Sequence, residues 1–94
     1  MKINKYLYDP EDDVLFISFG KYKKLYGDID KYNIVLFYNE EGKLVALEIL
    51  DFNRLYESGN LKSFISKEIS NLKWKEIEKI YKKVLKETPK SISI

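Results

Sequence analysis

The first half of the chain alternates apolar and polar residues with the two-residue period of β-strands. Turn residues separate five such segments. The predicted strands cover residues 3–8, 14–19, 25–30, 33–38 and 43–50. The second, fourth and fifth segments are apolar on both of their faces. Because short turns join successive segments, the pattern predicts a small antiparallel sheet.

Two of the turns have sequences with clear backbone preferences. Pro10 favours the second position of a type I turn, and the side chain of Asp9 can accept a hydrogen bond from the backbone two residues later. The segment Asn39-Glu40-Glu41-Gly42 is typical of a hairpin in which glycine adopts the left-handed conformation. The sequence therefore predicts hairpins between the first two strands and between the last two.

The second half of the chain changes to the period of a helix. Residues 52–59 are predicted as a connector, followed by Asn60 as a helix N-cap. The apolar stripes at 61–72 and 74–85 would point about 150° apart on one straight helix, so we expect a break near Ser70-Asn71. Thr88-Pro89 is predicted to end the second helix.

Together these elements predict an α+β fold. We expect an antiparallel β-meander of about five strands, followed by two C-terminal helices packed on one face of the sheet. The length predicts a single domain over residues 1–94, with the meander at 1–51 and the two-helix extension at 60–88.

Residues 8–51 resemble domain-of-unknown-function family 2283. The first hairpin carries part of the resemblance, in Tyr8-Asp9-Pro10, Asp13, Leu15 and Ile17. The second part is Asn39-Glu40-Glu41-Gly42, followed by Leu44-Val45 and Glu48-Ile49. The resemblance implies a small cytoplasmic prokaryotic protein built around a short antiparallel meander, with no known activity or catalytic residue. Residues 54–94 lie outside it.

Composition excludes several chemistries, because cysteine and histidine are both absent. Disulfides, thiolate nucleophiles and Cys/His zinc sites cannot form. The commonest general base near neutral pH is also missing. Catalysis would need carboxylates with Mg²⁺, or an activated Lys, Tyr or Ser. We therefore expect a non-enzymatic protein with no catalytic residue, no cofactor and no bound metal.

The chain has no apolar run long enough to span a bilayer and no signal-peptide pattern at Met1, so we expect a cytoplasmic protein without a membrane partner. Lys, Ile, Glu and Tyr are abundant and Gln is absent. This composition fits a heat-adapted organism or an AT-rich genome, and both interpretations stay open.

Charge is unevenly distributed along the chain. Such an asymmetry bears on which partners the protein binds and not on its fold. Residues 1–53 have a net charge of −3, and residues 54–94 have +5. A candidate nucleic-acid face lies on the second helix, opposite its apolar stripe: Lys75, Lys79, Lys82, Lys83 and Lys86. Interspersed glutamates and the presence of only one arginine favour a solvated surface instead.

Two sets of carboxylates invite a chemical interpretation. The acidic turn contains Asp9, Glu11, Asp12 and Asp13, but its spacing differs from that of an EF-hand. A solvated turn is the favoured interpretation. Glu48 interrupts an apolar strand and needs water or a partner, because an unpaired buried carboxylate is costly. A metal-assisted hydrolase would require Asp9, Asp13 and Glu48 to converge.

The strands that are apolar on both faces predict that another chain covers part of the sheet. Two short helices can cover one face of the sheet, and the fifth strand would lie at an edge if the strands follow meander order. We expect a homodimer or larger homo-oligomer, with Leu44, Ala46, Glu48 and Leu50 as candidate interface residues. The first hypothesis is thus a self-associating interaction module of antitoxin-like or regulatory type, which could also bind another protein. Nucleic-acid binding is the alternative.

Overall fold

The structure, a computed structural model, describes residues 2–29 and 32–87, with side chains through Leu85. All five predicted strands are present, and every pairing is antiparallel. The strands are β1 (Lys5–Asp9), β2 (Val14–Ser18), β3 (Tyr26–Ile29), β4 (Ile34–Tyr38) and β5 (Leu44–Ile49). The α+β fold with an antiparallel sheet followed by C-terminal helices is therefore confirmed.

The strand order differs from a simple meander. It is β1-β2-β5-β4-β3, so β5 lies at the centre of the sheet and not at an edge as expected. The most apolar strands, β2, β5 and β4, occupy the three inner positions, where both neighbours satisfy their backbone groups. β1 and β3 form the edges, and all four residues of β3 are exposed. Polar edge strands limit unwanted pairing between sheets.

Three helices follow the sheet, one more than the sequence predicts. They are α1 (Phe52–Ser58), α2 (Asn60–Glu68) and α3 (Trp74–Glu87). The prediction of a connector at 52–59 is wrong, since most of this segment is the helix α1. Phe52 and Leu55 lie on one side of this short helix and are both buried, which anchors it to the core. Gly59 separates α1 from α2 with φ 86°, a conformation that glycine adopts without strain. Gly59, rather than Asn60, is the N-cap of α2.

The break between the last two helices is confirmed. α2 ends at Glu68 and α3 begins at Trp74, so the turn includes the predicted Ser70-Asn71. Within it, the Leu72 N–H donates to the Ile69 carbonyl at 2.9 Å, and both side chains are buried. The turn thus lets both apolar stripes reach one core. The predicted stop at Thr88-Pro89 lies outside the described residues.

The core forms between one face of the sheet and the helices. Its sheet side consists of Leu15, Ile17, Ile34, Leu47 and Ile49, all fully buried. Its helical side consists of Phe52, Leu55, Leu61, Phe64, Ile65, Ile69, Leu72, Ile77, Ile80 and Val84. Tyr6 and Tyr8 of β1 pack against the same cluster. The helices therefore leave the opposite face of the sheet uncovered.

Candidate functional site

Among the described residues, no helix covers the second face of the sheet, which we call the open face. Its residues alternate along each strand with those of the core face. In sheet order they are Lys5, Leu7 and Asp9; Val14, Phe16 and Ser18; Ala46 and Glu48; Val35 and Phe37; and Gly27 and Ile29.

Cross-strand pairing arranges these side chains in rows. The central row consists of Leu7, Phe16, Glu48, Val35 and Ile29, one residue from each strand. Leu7 is 57% exposed and Ile29 61%, while Phe16 and Val35 are half-buried. Four large apolar side chains thus cross the whole sheet in contact with water. A continuous patch of this kind is typical of an interaction surface.

The open face is closely packed where Phe16 of the central row meets Phe37 and Ala46 of the adjacent row. The Phe16 and Phe37 rings are tilted, with centroids 6.0 Å apart, and Ala46 on the strand between them is fully buried. Phe37 also lies over Gly27, where an added Cβ would be 3.0 Å from the Phe37 Cε1 atom. Glycine at this position therefore lets the aromatic ring cover the strand, a device known to stabilise sheet glycines.

Glu48 occupies the centre of the open face. It lies on the third of the five strands, in the middle row, between Phe16 and Val35. Within residues 2–29 and 32–87 its side chain has no hydrogen-bond or ion-pair partner, and the residue is only half-buried. Water therefore solvates its carboxylate in the single chain. Any surface that covers this face must replace that water.

A shallow groove crosses one side of the open face. It has a volume of about 590 Å³ and follows β1 and β2 toward Glu48. Its lining consists of Lys5, Leu7, Tyr8, Asp9, Asp12, Val14, Phe16, Tyr22 and Glu48. The floor is apolar, and charged side chains lie around it. The groove suits an apolar side chain of a partner better than a small polar ligand.

The predicted interface set is only partly brought together on this face. Ala46 and Glu48 lie on it, but Leu44 packs against the core cluster instead. The reason is an irregularity in the β4–β5 ladder, where Phe37 pairs with Ala46 but Tyr38 pairs with Leu44. The extra residue, Val45, reverses the alternation beyond it. Leu50 follows the end of β5 and is not part of that strand.

The acidic turn has a structural role in the described residues. Asp9 accepts hydrogen bonds from the backbone N–H groups of Glu11 (3.0 Å) and Asp12 (3.4 Å), as the sequence predicts. No three carboxylates in the described part of the chain are close enough to hold a metal ion together. The convergence of Asp9, Asp13 and Glu48 required by the hydrolase hypothesis is therefore absent there.

Asp13 forms a connection that the sequence did not reveal. Its carboxylate accepts hydrogen bonds from Tyr8 Oη (2.9 Å), from the Asn53 backbone N–H (3.0 Å) and from Asn53 Nδ2 (2.8 Å). Its carbonyl accepts from the Phe52 N–H at 2.9 Å. Asp51, the residue before α1, makes no side-chain capping bond. Asp13 therefore caps α1 from 40 residues away and ties the first hairpin to the helical layer.

A column of stacked aromatic rings lies on the helical side. The Tyr56 and Tyr81 rings are 3.7 Å apart and nearly parallel, and Trp74 stacks on Tyr56 at 5.2 Å. Tyr81 Oη donates a hydrogen bond to Glu57 Oε2 at 2.9 Å. Burial, followed by this bond and the nearby negative charge, raises the pKa of Tyr81 to about 12. Burial also raises the pKa of Tyr56, with a contribution from Glu78.

The lysine face of α3 is exposed where the structure describes it. Lys75, Lys79, Lys82 and Lys83 are all exposed, and the side chain of Lys86 lies outside the described residues. Glu76 and Glu78 lie among these lysines, and Glu76 accepts the Ile3 N–H at 3.3 Å. Nucleic-acid binding through this face stays a prediction.

No helix in the described chain is long and apolar enough to cross a membrane.

Comparison with known proteins adds one finding. The family described as "Protein of unknown function (DUF2283)" matches residues 5–53, which is more than half of the chain. The match covers all five strands and ends at Asn53, which donates hydrogen bonds to Asp13. No curated protein and no solved structure matches the chain significantly.

Proposed function

The chain belongs to the DUF2283 family, and because that description names no activity, we propose a function from the geometry: a non-enzymatic module that self-associates through the open face. The observation that carries the proposal is the central row of this face. Its residues Leu7, Phe16, Val35 and Ile29 form an apolar strip across all of the strands that flank Glu48.

The size of the open face limits how stable a dimer it can form. Strands about 4.8 Å apart and about five residues long give a face of about 24 by 17 Å, or about 400 Å² in projection. Two such faces in contact would bury about 800 Å² by projection, and more when the relief of the side chains is included. Specific interfaces start at about 1,200 Å². The open face is therefore near the lower limit of a specific interface, and we expect weak association, with a dissociation constant of about micromolar order or weaker.

The edges of the sheet are less suited to self-association than the face. β3 is exposed along its full length but contains Gly27 and Asp28, which are depleted in strands. β1 is short and has charged residues at both ends, Lys5 and Asp9. Short, charged edges resist pairing with another sheet. Packing of two open faces, as in a β-sandwich, is therefore the arrangement that we propose.

A small self-associating module suits the regulatory or antitoxin-like role and the cytoplasmic location expected from the sequence. A different protein with an apolar surface is the alternative occupant of this face. We assign the face to a second copy of this chain, because an identical apolar face can cover it without any other component. Binding to a different protein would appear in the experiment below as a wild-type chain that stays monomeric.

The test is sedimentation velocity of the wild-type chain over a dilution series from submillimolar to nanomolar. We expect a species of twice the 11.2 kDa chain mass that dissociates on dilution. Leu7→Lys should abolish this species, since it places a charge in the apolar row. Leu85→Lys is the matched control, because Leu85 is 44% exposed and lies on α3. A monomeric wild type, or equal effects of both substitutions, would contradict the proposal.

A further inference from the structure

The charge pattern of the open face specifies how two copies would meet. We infer that Lys5 of each subunit pairs with the partner's Glu48, in a face-to-face dimer whose two-fold axis passes between these positions; this inference rests on the self-association proposed above. The pairing supplies Glu48, the carboxylate at the centre of the apolar row, with the cation that it lacks in the single chain.

Lys5 is the natural partner on this surface. Among the described strand residues of the open face it is the only cation, it is exposed, and its side chain has no hydrogen-bond or ion-pair partner. The register places its Cα two strands and two residues from that of Glu48, or about 12 Å away. The other carboxylate of the face, Asp9, accepts two backbone N–H bonds within its own turn. Glu48 is therefore the anion that remains to be matched.

Symmetry distinguishes two ways in which a second copy could meet Glu48. In a face-to-face dimer the two-fold axis lies in the plane of the interface, so residues on the axis meet their own copies and residues beside it exchange partners. An axis along Glu48 would press two carboxylates together in an apolar setting, which is unfavourable. An axis midway between Lys5 and Glu48 instead forms two identical ion pairs.

This second arrangement also buries the most suitable surface. The midway axis crosses β2 beside Phe16, so the two Phe16 rings would meet near the centre of the dimer. The overlap then covers the side of the sheet formed by β1, β2 and β5, with Leu7 and Phe16 in the contact, and leaves the Val35 and Ile29 end of the central row outside it. The covered side contains the shallow groove and Leu7, which is 57% exposed. The apolar contact and the ion pairs therefore favour the same placement of the second copy.

Charge reversal tests the pairing. Lys5→Glu and Glu48→Lys should each weaken dimerisation by about tenfold or more, because each places like charges opposite one another at two symmetric positions. The double variant restores opposite charges and should return the dissociation constant to within about threefold of the wild-type value. Sedimentation velocity measures the constants, and circular dichroism confirms that each variant is folded. Glu48→Gln, which keeps the size of the side chain, should weaken the dimer less than Glu48→Lys.

Matched controls separate this inference from the proposed function. Lys62→Glu and Glu68→Lys make the same charge changes at exposed positions on α2 and should leave the dissociation constant unchanged. Suppose that Leu7→Lys abolishes the dimer, but the double variant dimerises no more tightly than the two single charge-reversal variants. The proposed ion pair is then wrong, whereas association through the open face stands. If the wild type is monomeric, both are wrong.

Discussion

Asp13 shows how a single side chain can join two layers of the fold. Its backbone has φ 55°, in the left-handed region that aspartate tolerates better than most residues. In this conformation its carboxylate accepts hydrogen bonds from Tyr8 and Asn53, and its carbonyl accepts one from the Phe52 N–H. The sequence shows an acidic turn, but it could not show which of the four carboxylates reaches a helix 40 residues away.

We predict that Asp13→Asn lowers the free energy of unfolding by about 1 kcal/mol, since charge-assisted hydrogen bonds become neutral ones and one acceptor becomes a donor. Asp12→Asn is the matched control, because it removes the same charge from an exposed position in the same turn, and its effect should be within about 0.5 kcal/mol of zero. Urea unfolding measures both. Equal losses for the two variants would show that charge, and not the cap, is responsible.

We predict that the folded chain loses stability at alkaline pH because of Tyr81. Its pKa is raised to about 12 in the folded chain, against about 10 when unfolded, so folding favours the neutral hydroxyl. Stability from this group is complete below about pH 10 and falls as the pH rises through about 12. Tyr81→Phe should flatten this fall in urea unfolding, whereas Tyr26→Phe, at a position 54% exposed, should not. If the free energy of unfolding falls with pH in the same way in both variants, Tyr81 is not the group responsible.

At the scale of elements, the central strand β5 departs from regular alternation at Val45. The Val45 carbonyl accepts hydrogen bonds from Phe19 (2.8 Å) and Gly20 (3.2 Å), which fixes the irregular part of the ladder against the end of β2. A Cβ on Gly20 would lie 2.6 Å from Val45 Cγ1. A side chain at this position would therefore force Val45 or the neighbouring strand to shift.

We predict that Gly20→Ala destabilises the chain by about 1–3 kcal/mol through this clash. The same substitution should cost less in a Val45→Ala background, because the smaller side chain makes room for the added methyl group. A double-mutant cycle of unfolding free energies measures the coupling. Additive losses would mean that Gly20 and Val45 do not meet as described.

Local pattern was enough to predict the five strands and α2 and α3, because each has a clear apolar period or a strong turn signal. It was not enough for α1, whose seven residues are too short to display a periodic stripe. Nor could it give the strand order, since pairing of β2 with β5 depends on contacts between residues about thirty positions apart. The irregularity at Val45 likewise moved Leu44 from the predicted interface to the core.

At the scale of the whole molecule, the helices described pack on only one face of the sheet. Three helices and one sheet face form a core whose side chains are almost fully buried, while the opposite face exposes an apolar row with Glu48 at its centre. The sequence predicted this surplus of apolar strand surface from strands that are apolar on both faces. It could not predict that Glu48 would be central, because that position follows from the strand order.

The most direct test of this account measures whether the open face is in contact with water in solution. A soluble nitroxide broadens the NMR signals of exposed methyl groups, and Leu7 and Leu85, at 57% and 44% exposed in the single chain, offer two leucines to compare. We predict that at high protein concentration the Leu7 methyls are protected while the Leu85 methyls are broadened, and that dilution removes the difference. Equal broadening of both leucines at every concentration would contradict the claim that a second copy covers the open face.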